Sequence, residues 1–516
     1  MKYQPGLFLN EKYFLNDKTF SRELTENERW YQGAEDRLEY FFKHEYNTFE
    51  RGGFKSPYVL IENQTKFWRN VSGDIPRIHS GLPALATAGM VALITGPGME
   101  YTVNEGEEGE DEADNEIDKE RLDEILNDND FDSLHEHATA TASWAGYTAF
   151  KISHDEELSD YPILEVVNPK NIEIEKKRNR LTKVIFKSRQ NIEDDYKTVL
   201  EVHEIYTRVD KKVTVEYKAY KYEENKEPVE AALPEEYSEL DTPTLDFFPC
   251  VIVNNTARNS RFPGCPFGQS DYTSSQGLFH MLDDLISQSE LEVANAQAMK
   301  FVNEKLIAKD ENGKAQKFDK NQTTQEVSSR DMEDAAFDLK KFVSILQSDI
   351  RVEKYEKTIK ETYARALTNM GMSPITVGLP GFEAVNSSDK SQREREKASL
   401  RTRKKKLRLR RQELKELFEK LLKYQDYMAG KQSGEYKVNV SFNDYAVPTL
   451  DDMIETIVKA VQGRVMPIEE AVEKLYPDKS DDDKAELVLR IKIEHGIPIV
   501  QGELDNVQTP GQKPQV

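Results

Sequence analysis

The spacing of apolar positions changes several times along the chain, and each change marks a structural boundary. From Glu26 to Asn47, "ENERWYQGAEDRLEYFFKHEYN" mixes aromatics with charges at helical spacing, and a second helical stretch runs from Pro83 to Ile94. Helical patterning resumes at Glu120 and is expected to continue through "FDSLHEHATATASWAGYTAFKI". From Pro162 to Tyr222 the period falls to two. "VTVEYKAY" sets Val213, Val215, Tyr217 and Ala219 on one face and Thr214, Glu216 and Lys218 on the other, and "TVLEVHEIYT" precedes it across an Asp210-Lys211 turn. This pattern predicts an antiparallel sheet. "EENKEPVEAALPEEYSELDTPT" reads as a polar loop, and "FFPCVIVNN" as an apolar strand leading into the Gly/Pro-rich "SRFPGCPFGQSDY".

Helices then return. Leu278, Leu282, Leu285, Val293, Ala296 and Met299 form one stripe, and Val352, Tyr355, Ile359, Tyr363, Ala366 and Met370 form another. Residues 301 to 350 between them read as a small module with strands. The second helix must stop at "GMSPITVGLPGFEAVNSSDK", where Gly371, Pro374, Gly378, Pro380 and Gly381 forbid its continuation. From Lys390 to Met428 there is neither Gly nor Pro, and Leu400, Leu407, Leu414 and Leu421 recur every seven residues, with Leu417, Phe418 and Tyr424 filling the stripe. One helix of about 60 Å is expected, at 1.5 Å per residue. A strand, "EYKVNVSF", follows. Beyond it, capping boxes at Thr449/Asp452 and Ser480/Asp483 open helices on either side of a short "PIEEAVEKLY" helix, and the tail from Gln501 is expected to be disordered. The fold class is therefore α+β.

At 516 residues the chain exceeds a single core, and roughly two to four lobes are expected. The net charge of −23 excludes a general electrostatic embrace of nucleic acid, because an acidic surface repels phosphate. Cys250 and Cys265 have no CxxC or Cys/His spacing and read as reduced thiols. The opening "MKYQPGLFLNEKYF" lacks the apolar core of a signal peptide. "GLPALATAGMVALITGPG", from Gly81 to Gly98, is broken by Pro83 and Pro97 and falls short of the ~20 apolar residues of a membrane span, so it reads as a buried helix. Between Glu105 and Glu120 ten acids face one Lys, and a solvated loop is expected there.

No phosphate-binding, dinucleotide-binding, kinase, hydrolase or zinc-protease motif is present, so no enzymatic activity, cofactor or metal is expected. His135 and His137 form H-E-H, not one helical turn apart, and read as ordinary helix residues. "DNDFD" at Asp128 to Asp132 begins like a calcium loop but lacks its glycine and terminal Glu. One stretch contradicts the acidic whole: Ser391 to Leu414 carries eleven Lys or Arg against three Glu. Taken alone it reads first as a solvated charged helix and second as a nucleic-acid helix or localisation signal. Its heptad leucines tie it to a core or a partner. The Gly/Pro loop before it, Ser373 to Ser388, reads equally as a plain connector and as a functional loop.

The order of these parts resembles the portal protein of tailed bacteriophages. The resemblance rests on "GMSPITVGLPGFEAVNSSDKSQREREKASLRTRKKKLRLRRQEL", where a loop ending in Asn-Ser-Ser enters an Arg/Lys-rich helix. "NNTARNSRFPGCPFGQSDYTSSQGLFHMLDDLISQ" is similar to that family's entry into its first stem helix. It spans the chain from about Tyr31 to Glu494, and the acidic run departs from it as a surface insertion. Portal proteins are rings, usually of twelve copies, at one capsid vertex around a channel for double-stranded DNA. Carried over by position, the resemblance implies a wing at 1–270, a first stem helix at 271–300, a clip at 301–350 and a second stem helix at 351–372. It implies a tunnel loop at 373–390, a long wing helix with its strand at 391–446, and a crown with the tail at 447–516.

The resemblance also implies roles for particular residues. Gly378, Pro380, Gly381, Phe382, Val385, Asn386, Ser387, Ser388 and Lys390 would face the DNA channel. Arg393, Arg395, Arg401 and Arg403 would pair with acids of adjacent subunits. Lys309, Asp310, Glu311, Asn312, Lys314 and Lys317 would meet the clip's partners, the terminase packaging motor and then the head-tail adaptor. Major capsid and scaffolding proteins complete the implied partners, none of them a membrane, and the location would be the virion after assembly in the host cytoplasm. The alternative from another class is a soluble coiled-coil scaffold or nucleic-acid adaptor with a basic helix.

Overall fold

The computed structural model describes residues 18–46, 66–71, 75–104, 112–191, 198–223, 228–234, 237, 244–295, 299–302, 343–346, 351–379, 389–432, 434–443, 457–459, 461, 463, 466–476 and 481–494. The chain divides into two compact units, residues 1–386 with 392–443, and residues 387–391 with 444–516.

The first unit opens with helices α1 (Lys18–Gln32), α2 (Glu35–Tyr40), which runs on into a π-helical turn at Phe41–Glu45, α3 (Phe67–Asn70) and α4 (Leu82–Thr95). Strand β1 (Met99–Val103) precedes α5 (Glu112–Asp128) and α6 (Phe131–Ala145). Strands β2 (Tyr147–Ser153), β3 (Ile163–Val167), β4 (Ile172–Lys177), β5 (Arg180–Asn191), β6 (Thr198–Val209), β7 (Lys212–Glu223), β8 (Val229–Ala231), β9 (Thr244–Leu245) and β10 (Cys250–Asn254) follow. The chain continues through α7 (Gln276–Asn295), β11 (Met299–Val302), β12 (Val343–Leu346), α8 (Val352–Asn369), α9 (Asp389–Met428) and β13 (Val438–Phe442). In the second unit, α10 (Ile468–Leu475) and α11 (Asp481–Glu494) are joined by Lys492, 2.7 Å from Glu469. The residues at Thr449, Asp452 and Ser480 expected to cap its helices, and the tail from Gln501, lie outside the described residues.

Among the described residues all strand pairings are antiparallel, and the fold is α+β. Strands β4 to β8 form a meander with β9 added on β7, β2 lies between β10 and β3, and β1 pairs with β13. Register in the long β6–β7 hairpin is set by its two-residue turn. Asp210 and Lys211 both adopt positive φ, 49° and 69°, the geometry whose twist matches that of the flanking strands. The alternation predicted on β7 is found, with Val213, Val215 and Ala219 buried.

Three expectations are corrected. The acidic run does not stay a loop throughout, because residues 112–120 begin α5. Leu122, Ile125 and Leu126 bury one side of that helix, Glu116, Glu120, Glu124 and Asp128 face solvent, and carboxylates near its N-terminus favour the helix dipole. The helical pattern expected through Ile152 breaks at Gly146, and β2 follows. Gly146 has φ +97°, and a Cβ there would sit 2.8 Å from the Gly268 carbonyl oxygen. Strand β2 is central and buried on both faces, from Tyr147 through Phe150, so it lacks the period-two signature. Finally, β8 lies within the stretch expected to be a polar loop, and β9 begins at its last residue, Thr244.

The main core gathers around the C-terminal half of α9. Leu414, Leu417, Phe418, Leu421 and Leu422 pack with Leu122 and Ile125 of α5, Phe131 of α6, Val253 of β10 and Val438 of β13. Phe418 meets Phe131 and Tyr101 edge-on at 5.4 and 5.3 Å. A second cluster joins Phe20 of α1 to the meander, with Tyr147 stacked on Phe267 at 3.7 Å. Helix α4 buries Leu82, Ala86, Met90 and Leu93 as expected, and among the described residues no helix is long and apolar enough to cross a membrane. Cys250 and Cys265 are free thiols, and burial pushes the Cys250 thiol up to about 12. Phe418→Ala should lower stability by about 3–5 kcal/mol, because the emptied space has core walls on several sides, and urea unfolding of the full chain measures it.

Candidate interaction surface

Helix α9 is continuous over 40 residues, as its heptad predicted. The face that buries Leu407, Leu414 and Leu421 also carries Arg403, Lys406 and Arg410, at three- and four-residue intervals beside the leucines. These three cations are only 7, 8 and 4% exposed, so each needs a partner inside the fold. Arg403 donates through Nε to the Leu93 carbonyl at the end of α4, 2.7 Å away, and through Nη2 to the Asn443 carbonyl just after β13, 2.6 Å away. Lys406 Nζ donates to Asp271 Oδ2 at 2.6 Å and to Asn255 Oδ1. Asp271 is itself held by Ser143 Oγ at 2.7 Å and Asn255 Nδ2 at 2.9 Å. Arg410 faces Glu413 at 3.3 Å, and Glu413 accepts from the Asn254 backbone N–H at 2.8 Å.

Burial dominates the titration of this face. It pulls the Lys406 ammonium below its ordinary value against the opposing pull of Asp271, and raises the Glu413 carboxyl against Arg410. His135, stacked on Phe131 in α6, is brought down to about 3 by burial and by the Arg410 charge.

Ahead of α9, the first residues of the expected tunnel loop fold against the helix. The Ser373 backbone N–H donates to Ser399 Oγ at 2.8 Å, Thr376 and Ser399 share their hydroxyls at 2.7 Å, and Thr402 Oγ1 donates to the Gly371 carbonyl at 2.7 Å. Gly378 has φ +67° with open space where a Cβ would stand. Pro380, Gly381, Phe382, Val385, Asn386, Ser387 and Ser388 lie outside the described residues, as do the expected clip residues Lys309 to Lys317. Lys390, Arg393 and Arg395 are in α9, and their side chains lie outside what is described.

Helices α7 and α8 form an antiparallel pair clamped at both ends. Ser275 Oγ, beside the start of α7, donates to the Ala366 carbonyl near the end of α8 at 3.0 Å. At the other end Arg351 Nε meets Glu292 Oε1 at 3.0 Å. Strands β11 and β12, which follow α7 and precede α8, pair with each other. The stripe expected on α7 is displaced. Its buried face centres on Phe279, Leu282, Asp283 and Ser287, whereas Val293 is exposed, the helix ends at Asn295 and Met299 belongs to β11. The displacement follows from Asp283, which no apolar pattern would place inside. Its carboxylate accepts from Trp68 Nε1 at 2.8 Å and the Ser80 N–H at 2.9 Å, and pairs with His79 Nδ1 at 2.9 Å.

The remaining described cations of the basic stretch point outward. Lys397, Arg401, Lys404, Lys405, Arg408 and Arg411 are exposed along one side of α9. Of the residues expected in a subunit contact, Arg401 is available to a partner and Arg403 is not. The correction has a local cause: Arg403 shares the leucine face, and its Nε and Nη2 donate to carbonyls of its own chain. Sequence reasoning also missed Asp271, Asn255 and Asp283; only Asp283 left a signal, as part of an acidic pair interrupting the apolar "MLDDLI", whereas Asp271 and Asn255 lie in polar stretches. Among the described residues no group of three or more His, Cys, Asp or Glu is placed to hold a metal ion.

No protein-family model matches the chain, and no curated protein matches it. Among solved structures, it is similar to a chain in the neck of a native GTA particle computed with C12 symmetry (9% identity, TM-score 0.36, covering 85% of this chain and 95% of the other). A chain in the neck of an empty GTA particle computed with C6 symmetry gives 11% identity and a TM-score of 0.40, covering 87% and 96%. One in the virion of a native gene transfer agent particle gives 10% and 0.35, covering 88% and 98%.

Two predictions separate the inner from the outer charges. Lys406→Met strands the Asp271 carboxylate in the interior and should lower stability by about 3 kcal/mol, whereas Lys405→Met should leave the urea midpoint in place. For His135 the unfolded chain takes up a proton near the ordinary value of 6.5 and the folded chain only near 3, so stability is lost as pH falls through that window. His135→Leu should therefore narrow the gap between urea midpoints measured at pH 7 and pH 4.5.

Proposed function

We propose that this chain is the subunit of a portal ring in a tailed-bacteriophage particle: a structural conduit for double-stranded DNA, without enzymatic activity, cofactor or metal. The observation that carries the reading is the succession of α7, the β11–β12 pair, α8 and the 40-residue α9. Two antiparallel helices clamped at both ends and continued by a strand pair make a stem with a clip beyond it. A long helix seated in the core of the first unit makes the frame of a wing. The crown corresponds to the second unit with α10 and α11.

In this reading the clip receives the terminase packaging motor and afterwards the head-tail adaptor, capsid and scaffolding proteins surround the wing, and the loop through residues 380–388 borders the channel. The charge suits a conduit. Each phosphate neutralised by a cation adds affinity and retards movement, and a chain of net charge −23 does not grip passing DNA. A coiled-coil scaffold, the alternative, needs a free leucine face on its long helix. Here Leu414, Leu417, Phe418 and Leu421 are spent inside the chain's own core.

The purified chain should assemble into closed rings of about twelve subunits, the heterologous contact repeating until it closes. Light-scattering mass and negative-stain images check this, and a strictly monomeric protein across ionic strengths would overturn it.

A further inference from the structure

Two unpaired and oppositely charged helix faces stand on the surface of the first unit. On α9, Arg401, Lys404, Lys405, Arg408 and Arg411 are exposed, and among the described residues none of the five is in an ion pair. Further along the same helix, Lys415 and Lys420 do pair, with Glu419 and Glu416. On α5, Glu116, Glu120, Glu124 and Asp128 are exposed at four-residue intervals, with one cation, Lys119, beside them. Glu124 accepts a hydrogen bond from the Tyr161 hydroxyl and Asp128 one from Ser159, but none of the four acids is ion-paired within the described chain.

The two faces match in length and repeat. Arg401 to Arg411 spans about 15 Å and Glu116 to Asp128 about 18 Å along their helices, with a charge every three or four residues on each. They do not meet within one copy. Arg121 holds α5 against the last turns of α9, through Asp426 at 2.8 Å and Gln425 at 3.0 Å, whereas Arg411 lies about 20 Å earlier along that helix. We propose that the basic face of α9 on one copy seats against the acidic face of α5 on the next, so that the two form a head-to-tail contact between subunits. The proposal rests on the ring reading and names the surface through which the ring closes. A second copy fits better than nucleic acid because every copy carries both faces, so one repeated contact neutralises both. A phosphate backbone would satisfy only the basic face and would leave the α5 acids repelling it.

The test uses the full chain with two sets of charge reversal, Arg401→Glu/Lys405→Glu/Arg408→Glu and Glu116→Lys/Glu120→Lys/Glu124→Lys, followed by light-scattering mass against protein and salt concentration. Each set alone should raise the concentration for half-assembly at least about tenfold with an unchanged urea midpoint, and combining all six should restore assembly. Either set assembling like the parent, or a combined variant as weak as the single sets, overturns the pairing while leaving the ring reading intact. A parent chain that stays monomeric at every salt overturns the ring reading itself. If the basic set assembles normally but loses binding of a short DNA duplex, the α9 face serves nucleic acid and the pairing is wrong.

Discussion

The seating of three cations on the inner face of α9 is the constraint on which the first unit depends. A charged group taken out of water destabilises the fold unless it finds a partner, and the partners here come from distant parts of the chain. Arg403 draws in the end of α4 and the end of β13, Lys406 the turn around Asn255 and Asp271, and Arg410 with Glu413 the last residue of β10. Sliding α9 by one turn along its own axis would keep leucines inside but leave these donors and acceptors unmatched. The apolar face supplies most of the adhesion, and the polar partners select one register.

That register orders what surrounds the helix. With Ser399 and Thr402 fixed, the chain leaving α8 is received at Ser373, Thr376 and Gly371, so the α7–α8 pair is tied to α9 at the helix end and to itself along its length. Asp283 plays a comparable part on α7. One buried carboxylate accepts from Trp68 and Ser80 and holds His79, joining two separated segments to one helix position. Both centres are built from polar groups in otherwise apolar surroundings, where an unmade hydrogen bond costs more than a made one contributes.

The same register divides the charge of the basic stretch in two. Cations on the leucine side are structural and spent inside the chain, while those on the other side remain available. A long helix presenting a row of cations from a rigid seat loses little conformational freedom on docking beyond that of the side chains themselves. The antiparallel α7–α8 pair, clamped by Ser275 at one end and Arg351 at the other, is a second stiff element of the unit.

Much of this was legible in the chain by itself. The length of α9, the β6–β7 hairpin and its Asp210-Lys211 turn, the buried α4 and the α7 and α8 helices follow from local periodicity and turn chemistry, which act over a few residues. Other features were decided by tertiary structure. Strand β2 lacks the period-two signature, and its state was set by Gly146 and by neighbours on both faces. The acidic residues of α5 look like a loop until Leu122, Ile125 and Leu126 find the α9 core. Above all, eleven cations in one stretch look alike in sequence. Helical spacing assigns Arg403, Lys406 and Arg410 to the leucine side, but whether a cation can remain there depends on carbonyls and carboxylates arriving from Leu93, Asn443, Asn255 and Asp271. Those residues lie far away along the chain and close only in the folded state, so no local pattern encodes their meeting.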